Sequence, residues 1–301
     1  MRTLALAAVA LVAVPWVAAR AADKPDFDKV QIKATQISGP VWMLEGVGPS
    51  FSGGNIGVCA GPDGVLLVDD KFSPLAAKIQ AALKGVSDKP VRFVVNTHYH
   101  GDHTEGNTVF GAIATIIAHD ATRKRLLENG FQRDGKAAPA VALPIITFDD
   151  EVELHLNGQD IHAVHYPNAH TDTDVVVTFK QANVVHMGDE FFNGMYPFID
   201  VEGGGSIKGL IANVEKILAQ IPADAKIIPG HGPLATVNDL RAFLGMLKES
   251  TAVVEAAMKA GKTVDQLKKD KPFAQLDAKW GAGFLKADDF IDELWKDLSR
   301  K

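Results

Sequence analysis

The chain has 301 residues, 47% hydrophobic and 23% charged, which is the make-up of a folded protein able to bury a large core without staples. Lys and Arg number 31 against 37 Asp and Glu, and the net charge of −6 argues against a broad nucleic-acid-binding face. Cys59 is the single cysteine, so no intrachain disulfide can form.

The N-terminus has a composition of its own. Arg2 is followed by an Ala/Leu/Val run over residues 4–14, and Ala19-Arg20-Ala21 fits a small-residue cleavage site. This is the layout of a secretory signal peptide over residues 1–22, which implies a secreted or periplasmic protein. Cleavage removes Arg2 and Arg20, so the net charge moves from −6 to −8. The apolar run is shorter than the roughly 20 residues of a membrane span, and no stable membrane insertion is expected after cleavage.

Short extended runs follow. Residues 30–37 and 41–45 alternate in part, as half-buried strands do. A loop rich in Gly, Pro and Ser carries Phe51 near its tip and spans 46–54. Residues 55–60 and 65–68 read as strands joined by the turn Gly61-Pro62-Asp63-Gly64. Ser73-Pro74 opens a helix to about Lys84, with Ser73 as cap and Pro74 at the first position. Residues 91–95 form a buried strand, a short helix starts at Thr104, and 113–118 and 121–128 are a strand and a helix. Residues 130–144 read as a loop. A strand over 145–156 and another over 160–166 flank Asn157-Gly158, a strong hairpin signal. Strands at 174–179 and 183–187, an amphipathic helix at 206–220 and a short strand at 226–228 complete the second half. From Val237 onward the pattern is helical. Two halves of this kind imply two packed sheets with helices outside.

The densest chemistry lies in Thr97-His98-Tyr99-His100-Gly101-Asp102-His103. Three imidazoles and a carboxylate in six residues suit Zn²⁺, and Gly101 lets the backbone turn so that they converge. So short a loop points to a division between two ions. His170, Asp189 in Gly188-Asp189, and His231 in Pro229-Gly230-His231-Gly232 sit at or beside strand ends, where rigid scaffolds present functional residues.

In that order, the H-x-H-x-D-H loop, the isolated His, the G-D and the P-G-H resemble the metallo-β-lactamase superfamily over roughly residues 28–240. The resemblance implies an α/β fold, a four-layer αββα sandwich. With the signal peptide at 1–22, the chain divides into one domain of that kind over 23–240 and a C-terminal helical extension over 241–301. One metal would be held by His98, His100 and His170, the second by Asp102, His103 and His231, with Asp189 bridging them. The cofactor implied is two Zn²⁺, with iron or manganese compatible with the same donors.

At the Asp189 position the best-known zinc β-lactamases carry a cysteine, and some carry a lysine three residues later. Here the segment is Asp189-Glu190-Phe191-Phe192. An aspartate bridge resembles glyoxalase II-type thioesterases and lactonases, whereas the leader and the 55–69 hairpin resemble exported lactamases. The expected reaction is attack of a metal-bridging hydroxide on a carbonyl of a small-molecule substrate, with Asp102 orienting it and β-lactams a leading candidate. Metal coordination makes that hydroxide available, lowering the pKa of water from about 16 to about 7. Lactone or thioester hydrolysis is the alternative. An iron-dependent oxidation resembling that of persulfide dioxygenases, or a non-catalytic binding protein, would have fewer ligands than the seven present here.

The remaining histidines, His119, His155, His162, His165 and His186, read as structural, with His186 the nearest to Asp189 in sequence. Asp69 or Asp70 is placed to hydrogen-bond a ligand imidazole. Tyr99 is expected to turn away from the metals and pack. Cys59 reads as a small buried hydrophobe. The 46–54 loop with Phe51, and the 191–205 segment, are expected to wall the cleft. Phe284, Phe290, Leu294 and Trp295 could dock on the body or form a dimer contact.

Overall fold

The computed structural model describes residues 25–131 and 135–300. The leader expected at 1–22 lies outside them. The first sheet has seven strands in sequence order: β1 (Gln31–Ser38), β2 (Val41–Val47), β3 (Ile56–Gly61), β4 (Gly64–Val68), β5 (Val91–Val95), β6 (Thr115–His119) and β7 (Ile146–Phe148). Strands β1 to β4 pair antiparallel, through tight turns at β1–β2 and β3–β4 and through the longer Phe51-bearing loop between β2 and β3. From β4 to β7 the pairing is parallel, and parallel neighbours need crossovers. Helix α1 (Ala76–Lys84), the single turns α2 (Gly101–Thr104) and α3 (Asn107–Phe110), and α4 (Asp120–Glu128) supply them.

The second sheet holds β8 (Glu151–Leu156), β9 (Gln159–His165), β10 (Val175–Phe179), β11 (Val184–His186), β12 (Lys226–Ile228) and β13 (Ala235–Thr236), with β13 at one edge and β8 at the other. Asn157 and Gly158 both have positive φ, 54° and 71°, as a tight hairpin turn with the twist of its strands requires. Helix α5 (Ile207–Gln220) crosses between the parallel pair β11 and β12. Helices α6 (Val237–Lys259), α7 (Val264–Lys269), α8 (Ala274–Trp280) and α9 (Ala287–Leu298) follow.

Strand alternation builds the layers. On β4, Leu66 and Val68 face the second sheet and meet Ala163, Val175 and Val177, while Val65 and Leu67 face outward onto Leu75, Ile79 and Leu83 of the α1 region. The outer face of the second sheet packs Val185 and Ile227 on Leu210, Val214 and Ile217 of α5 and on Leu240, Phe243 and Leu247 of α6. Each such fully buried aliphatic side chain contributes on the order of 2 kcal/mol. The result is the expected αββα sandwich. Phe290, Ile291 and Leu294 of α9 join the same core cluster, so the tail docks on the body. The 240/241 boundary falls inside α6.

Three local expectations change. The single strand at 145–156 is two strands on different sheets, β7 and β8, because the chain turns at Asp149-Asp150 to cross from one sheet to the other. Ser73 does not cap α1. A 3-10 turn, Ser73–Leu75, comes first with Phe72 at its cap position; the Glu105 carboxylate accepts the Ser73 N–H at 3.2 Å, and the Ser73 hydroxyl accepts a hydrogen bond from Thr108. The helix expected from Thr104 begins at Gly101, inside the histidine-rich loop. Cys59 is buried between the sheets as expected, and burial pushes its thiol up to about 11.

Candidate metal centre

The seven expected residues converge at one edge of the sandwich. His98 and His100 leave the C-terminal end of β5, and the single turn of α2 swings Asp102 and His103 back beside them. His170 lies between β9 and β10, Asp189 in the 3-10 turn Gly188–Glu190 after β11, and His231 just beyond β12. All of these loops follow the C-terminal ends of strands.

The donors fall into two groups. His98, His100, His170 and Asp189 each present one ligand atom within 4.8 Å of the others, and Asp102, His103 and His231 do the same. His170 Nε2 is 2.9 Å from His100 Nδ1, and His103 Nε2 is 3.3 Å from His231 Nε2. Asp189 reaches both groups. Its Oδ2 is 3.3 Å from His170 Nε2 and 3.4 Å from His231 Nε2, and its Oδ1 is 3.1 Å from His103 Nε2. Asp102 Oδ2 is 3.3 Å from His231 Nε2, and the Asp102 side chain, 18% exposed, is the most open of the set.

These residues fit a pair of divalent cations. His98 Nε2 and Asp189 Oδ1 are buried without a hydrogen-bond partner, which costs free energy unless something else engages them. Burial, with the neighbouring His103, holds His98 well below the ordinary imidazole range, so its lone pair is free. Burial likewise brings His100 down to about 4 against the pull of Asp200. Burial would raise Asp189, but the imidazoles of His103, His231, His170 and His98 outweigh it and keep the carboxylate ionised. Against burial, Asp189, Asp102 and Asp69 lift His103 above its ordinary value. The carboxylates thus create more negative charge than neutral imidazoles can balance, which is what a cation site requires.

Each imidazole of the H-x-H-x-D-H loop is held at its other nitrogen, and so is His170. His103 Nδ1 is 2.7 Å from Asp69 Oδ2, His100 Nε2 is 2.8 Å from Asp200 Oδ2, His170 Nδ1 is 2.7 Å from the Phe198 carbonyl and His98 Nδ1 is 3.0 Å from the Thr97 hydroxyl. These contacts leave Nε2 of His98, His103 and His170, and Nδ1 of His100, facing the centre. Asp69 is therefore the orienting carboxylate expected of the Asp69-Asp70 pair. Its φ is +65°, and that of Lys71 is +60°, conformations that cost on the order of 1–2 kcal/mol each for non-glycine residues. The strained turn aims Asp69 at Thr97, whose N–H and hydroxyl both donate to it at 2.7 Å, and at His103. Two glycines make room. A Cβ on Gly54 would lie 2.0 Å from the His103 ring and one on Gly230 2.0 Å from Asp189 Oδ1. Replacing Asp69 with asparagine should lower the affinity for one metal equivalent by about 10–100-fold, read by titration against a competing chelator; equal affinity would remove Asp69 from this role.

Tyr99 packs, as expected, but edge-on against the donor His100 at 4.7 Å and not away from it, and it does more than pack. Its hydroxyl donates to Asp200, and the Arg125 guanidinium lies 5.1 Å from its ring centroid. Asp200, in Ile199-Asp200-Val201, was not singled out from the sequence; a buried acid between apolar residues ahead of a glycine run was the available signal. Lys71 was also missed. It is wholly buried, its ammonium donates to the carbonyls of Gly53 and Gly54, and burial brings it down to about 8. It pins the loop that carries Phe51 to the floor of the centre. His186 donates from Nε2 to the Asn55 carbonyl and accepts the Gly188 N–H at Nδ1, so it braces the turn that bears Asp189. His119 and His165 stack on each other at 3.6 Å, and His155 and His162 pair with Asp160 and Glu151, all outside the two donor groups.

Among the described residues no helix is long and apolar enough to cross a membrane. A family model described as the metallo-beta-lactamase superfamily matches residues 50–231. Hydroxyacylglutathione hydrolase of Polaromonas sp. is 28% identical over 183 residues, 60% of this chain and 63% of that protein, so the match spans less than two thirds of the relative. The 2,4-dinitroanisole O-demethylase subunit alpha of Nocardioides sp. is 25% identical over 236 residues, 76% of this chain and 69% of that protein. The solved metallo-beta-lactamase from Pontibacter korlensis superposes with a TM-score of 0.59 at 20% identity, over 72% of this chain and 99% of that one.

Proposed function

The chain belongs to the metallo-β-lactamase superfamily and has the dinuclear metal-binding site of its metal-dependent hydrolases, and from that premise we propose that it is a zinc hydrolase of lactone, ester or thioester carbonyls. The observation that carries this reading is the carboxylate of Asp189 placed between the two donor groups, where a thiolate would point to a lactamase. The name of the hydroxyacylglutathione hydrolase relative supports thioester or ester chemistry over β-lactams, which were the leading candidate on the sequence. Likeness to solved lactamases at 20% identity bears on the fold alone.

In this reading His98, His100 and His170 would hold one cation and Asp102, His103 and His231 the other, with Asp189 available to both groups. When bound, such a pair supplies a nucleophilic water at neutral pH and a Lewis acid for the carbonyl oxygen. The chain supplies orientation and proton handling. Burial works against ionisation of Asp102, but His103 and His231 hold its carboxylate well below the usual range, so Oδ2 stays an acceptor. Being the most open donor, Asp102 would orient the attacking water, and a water held against it would relay the proton to the leaving oxygen or sulfur. Asp69, Asp200 and the Phe198 carbonyl keep the rings fixed while charge moves.

The test is a hydrolysis panel on the purified chain with metal content measured alongside: a penicillin, a cephalosporin, a carbapenem, a lactone and a glutathione thioester, with His100→Ala as control. Lactone or thioester turnover with about two zinc ions per chain, lost in the control, is expected. Turnover of β-lactams in preference to both would overturn the proposal.

A further inference from the structure

A cavity of about 420 Å³ opens beside the metal centre, and His231 belongs to its wall. Its volume is that of a small-ligand site. Two aromatic rings from distant parts of the chain form its mouth. Phe51 comes from the loop between β2 and β3, and Phe284 from the segment between α8 and α9. The Phe51 ring stacks on His231 at 5.7 Å and 21°. Phe284 meets Phe51 at 5.9 Å and His231 at 5.9 Å, steeply inclined to both. Phe192 covers the other face of His231 at 5.2 Å.

Phe51 and Phe284 are 43% and 47% exposed, so neither is a core residue. Their positions are nonetheless built. Lys71 fixes the carbonyls of Gly53 and Gly54 behind Phe51. The Lys286 ammonium binds the carbonyls of Gly281 and Gly283 at 3.0 and 2.9 Å, and a Cβ on Gly283 would lie 2.6 Å from Met195 Cβ, so the backbone ahead of Phe284 sits tight on the wall of the cavity. Two half-exposed rings held this way and lining one space offer an aromatic guest the offset and edge-on contacts that aromatic pairs prefer. Among the described lining residues the one carboxylate is Glu45, and no lysine or arginine joins it.

We infer that Phe284, with Phe51, determines specificity at this site and selects substrates that carry a neutral aryl group beside the scissile ester or thioester bond. The inference rests on the carbonyl-hydrolase reading above and narrows it. Phe284 lies beyond residues 50–231, so the selecting element comes from a part of the chain that the superfamily match does not reach.

Full-length wild type, Phe284→Ala and Phe284→Leu are compared on dihydrocoumarin, an aryl lactone, and γ-butyrolactone, a small aliphatic one, with metal content as the folding control. Binding of indole, a neutral aromatic that cannot be hydrolysed, is measured by calorimetry on the same proteins. The expected result is a wild-type preference for dihydrocoumarin that falls about 10-fold in Phe284→Ala, through KM rather than kcat, and partly recovers in Phe284→Leu. Indole affinity should fall in parallel. An equal preference in wild type and Phe284→Ala would overturn the assignment of Phe284 and leave the hydrolase reading standing. If neither lactone is cleaved, the hydrolase reading loses its support on lactones, and indole still decides: weaker binding in Phe284→Ala upholds the aryl site, and equal binding removes it.

Discussion

Asp189→Ala should cost more than about 100-fold in kcat/KM and reduce bound metal from two equivalents toward one. Removing an outer partner of a metal ligand already costs 10–100-fold in affinity or activity, and Asp189 lies inside that shell. Its two oxygens are the atoms that approach both donor groups, at 3.3 Å from His170 and 3.1 Å from His103. Alanine removes both contacts and leaves the imidazoles of His98, His103, His170 and His231 facing each other without the charge that holds them together. The informative companion is Asp189→Cys, which restores an anionic ligand of the lactamase kind. If it recovers metal stoichiometry but not lactone or thioester turnover, the carboxylate matters to the reaction as well as to the metals. Full activity in Asp189→Ala would remove Asp189 from the centre altogether.

Removing metal should lower Tm by about 5–10 °C for each site that is well saturated before chelation. A ligand at a hundred times its Kd stabilises the folded state by about 2.7 kcal/mol, and each kcal/mol moves Tm by about 2–4 °C in a domain of this size. The structure gives the reason for a large effect. The carboxylates of Asp69, Asp102 and Asp189 are gathered on few imidazoles, and His98 Nε2 and Asp189 Oδ1 are buried without a hydrogen-bond partner. Calorimetry before and after dialysis against a chelator, then with zinc restored, measures it. The gap should narrow on acidification, because protons compete for His103 and His231. Burial opposes protonation of both, yet the adjacent carboxylates hold both above the ordinary imidazole range. A Tm indifferent to the chelator would mean that the seven side chains hold no structural cation.

The donor set was legible because its chemistry is local. Four of the seven residues stand within six positions, and the other three sit at strand ends that the alternating pattern already marks. The layers were legible for the same reason, since Leu66 and Val68 face one way and Val65 and Leu67 the other. What supports the donors was not. Asp200 reaches His100 across 100 positions and Phe284 reaches Phe51 across the length of the domain, and no local period encodes such pairs. Lys71 reads as an ordinary charged residue after a strand; its burial depends on the carbonyls of a loop that only the folded sandwich brings over it. The break at Asp149-Asp150 was hidden because both flanking segments are strands, and a change of sheet leaves no mark on an apolar pattern.

The carboxylate at position 189 has a consequence outside the reaction itself. A thiolate ligand is an oxidisable and alkylatable atom at the heart of a metal site, and its loss on the ladder from sulfenic to sulfonic acid takes the metal with it. Here the only thiol in the chain is that of Cys59, sealed between the sheets and pushed up to about 11 by burial. The centre is therefore built from oxygen and nitrogen alone, and peroxide or an alkylating agent meets no reactive thiol there. The seven donors therefore offer no thiol for the disulfide poise of the surroundings to act on.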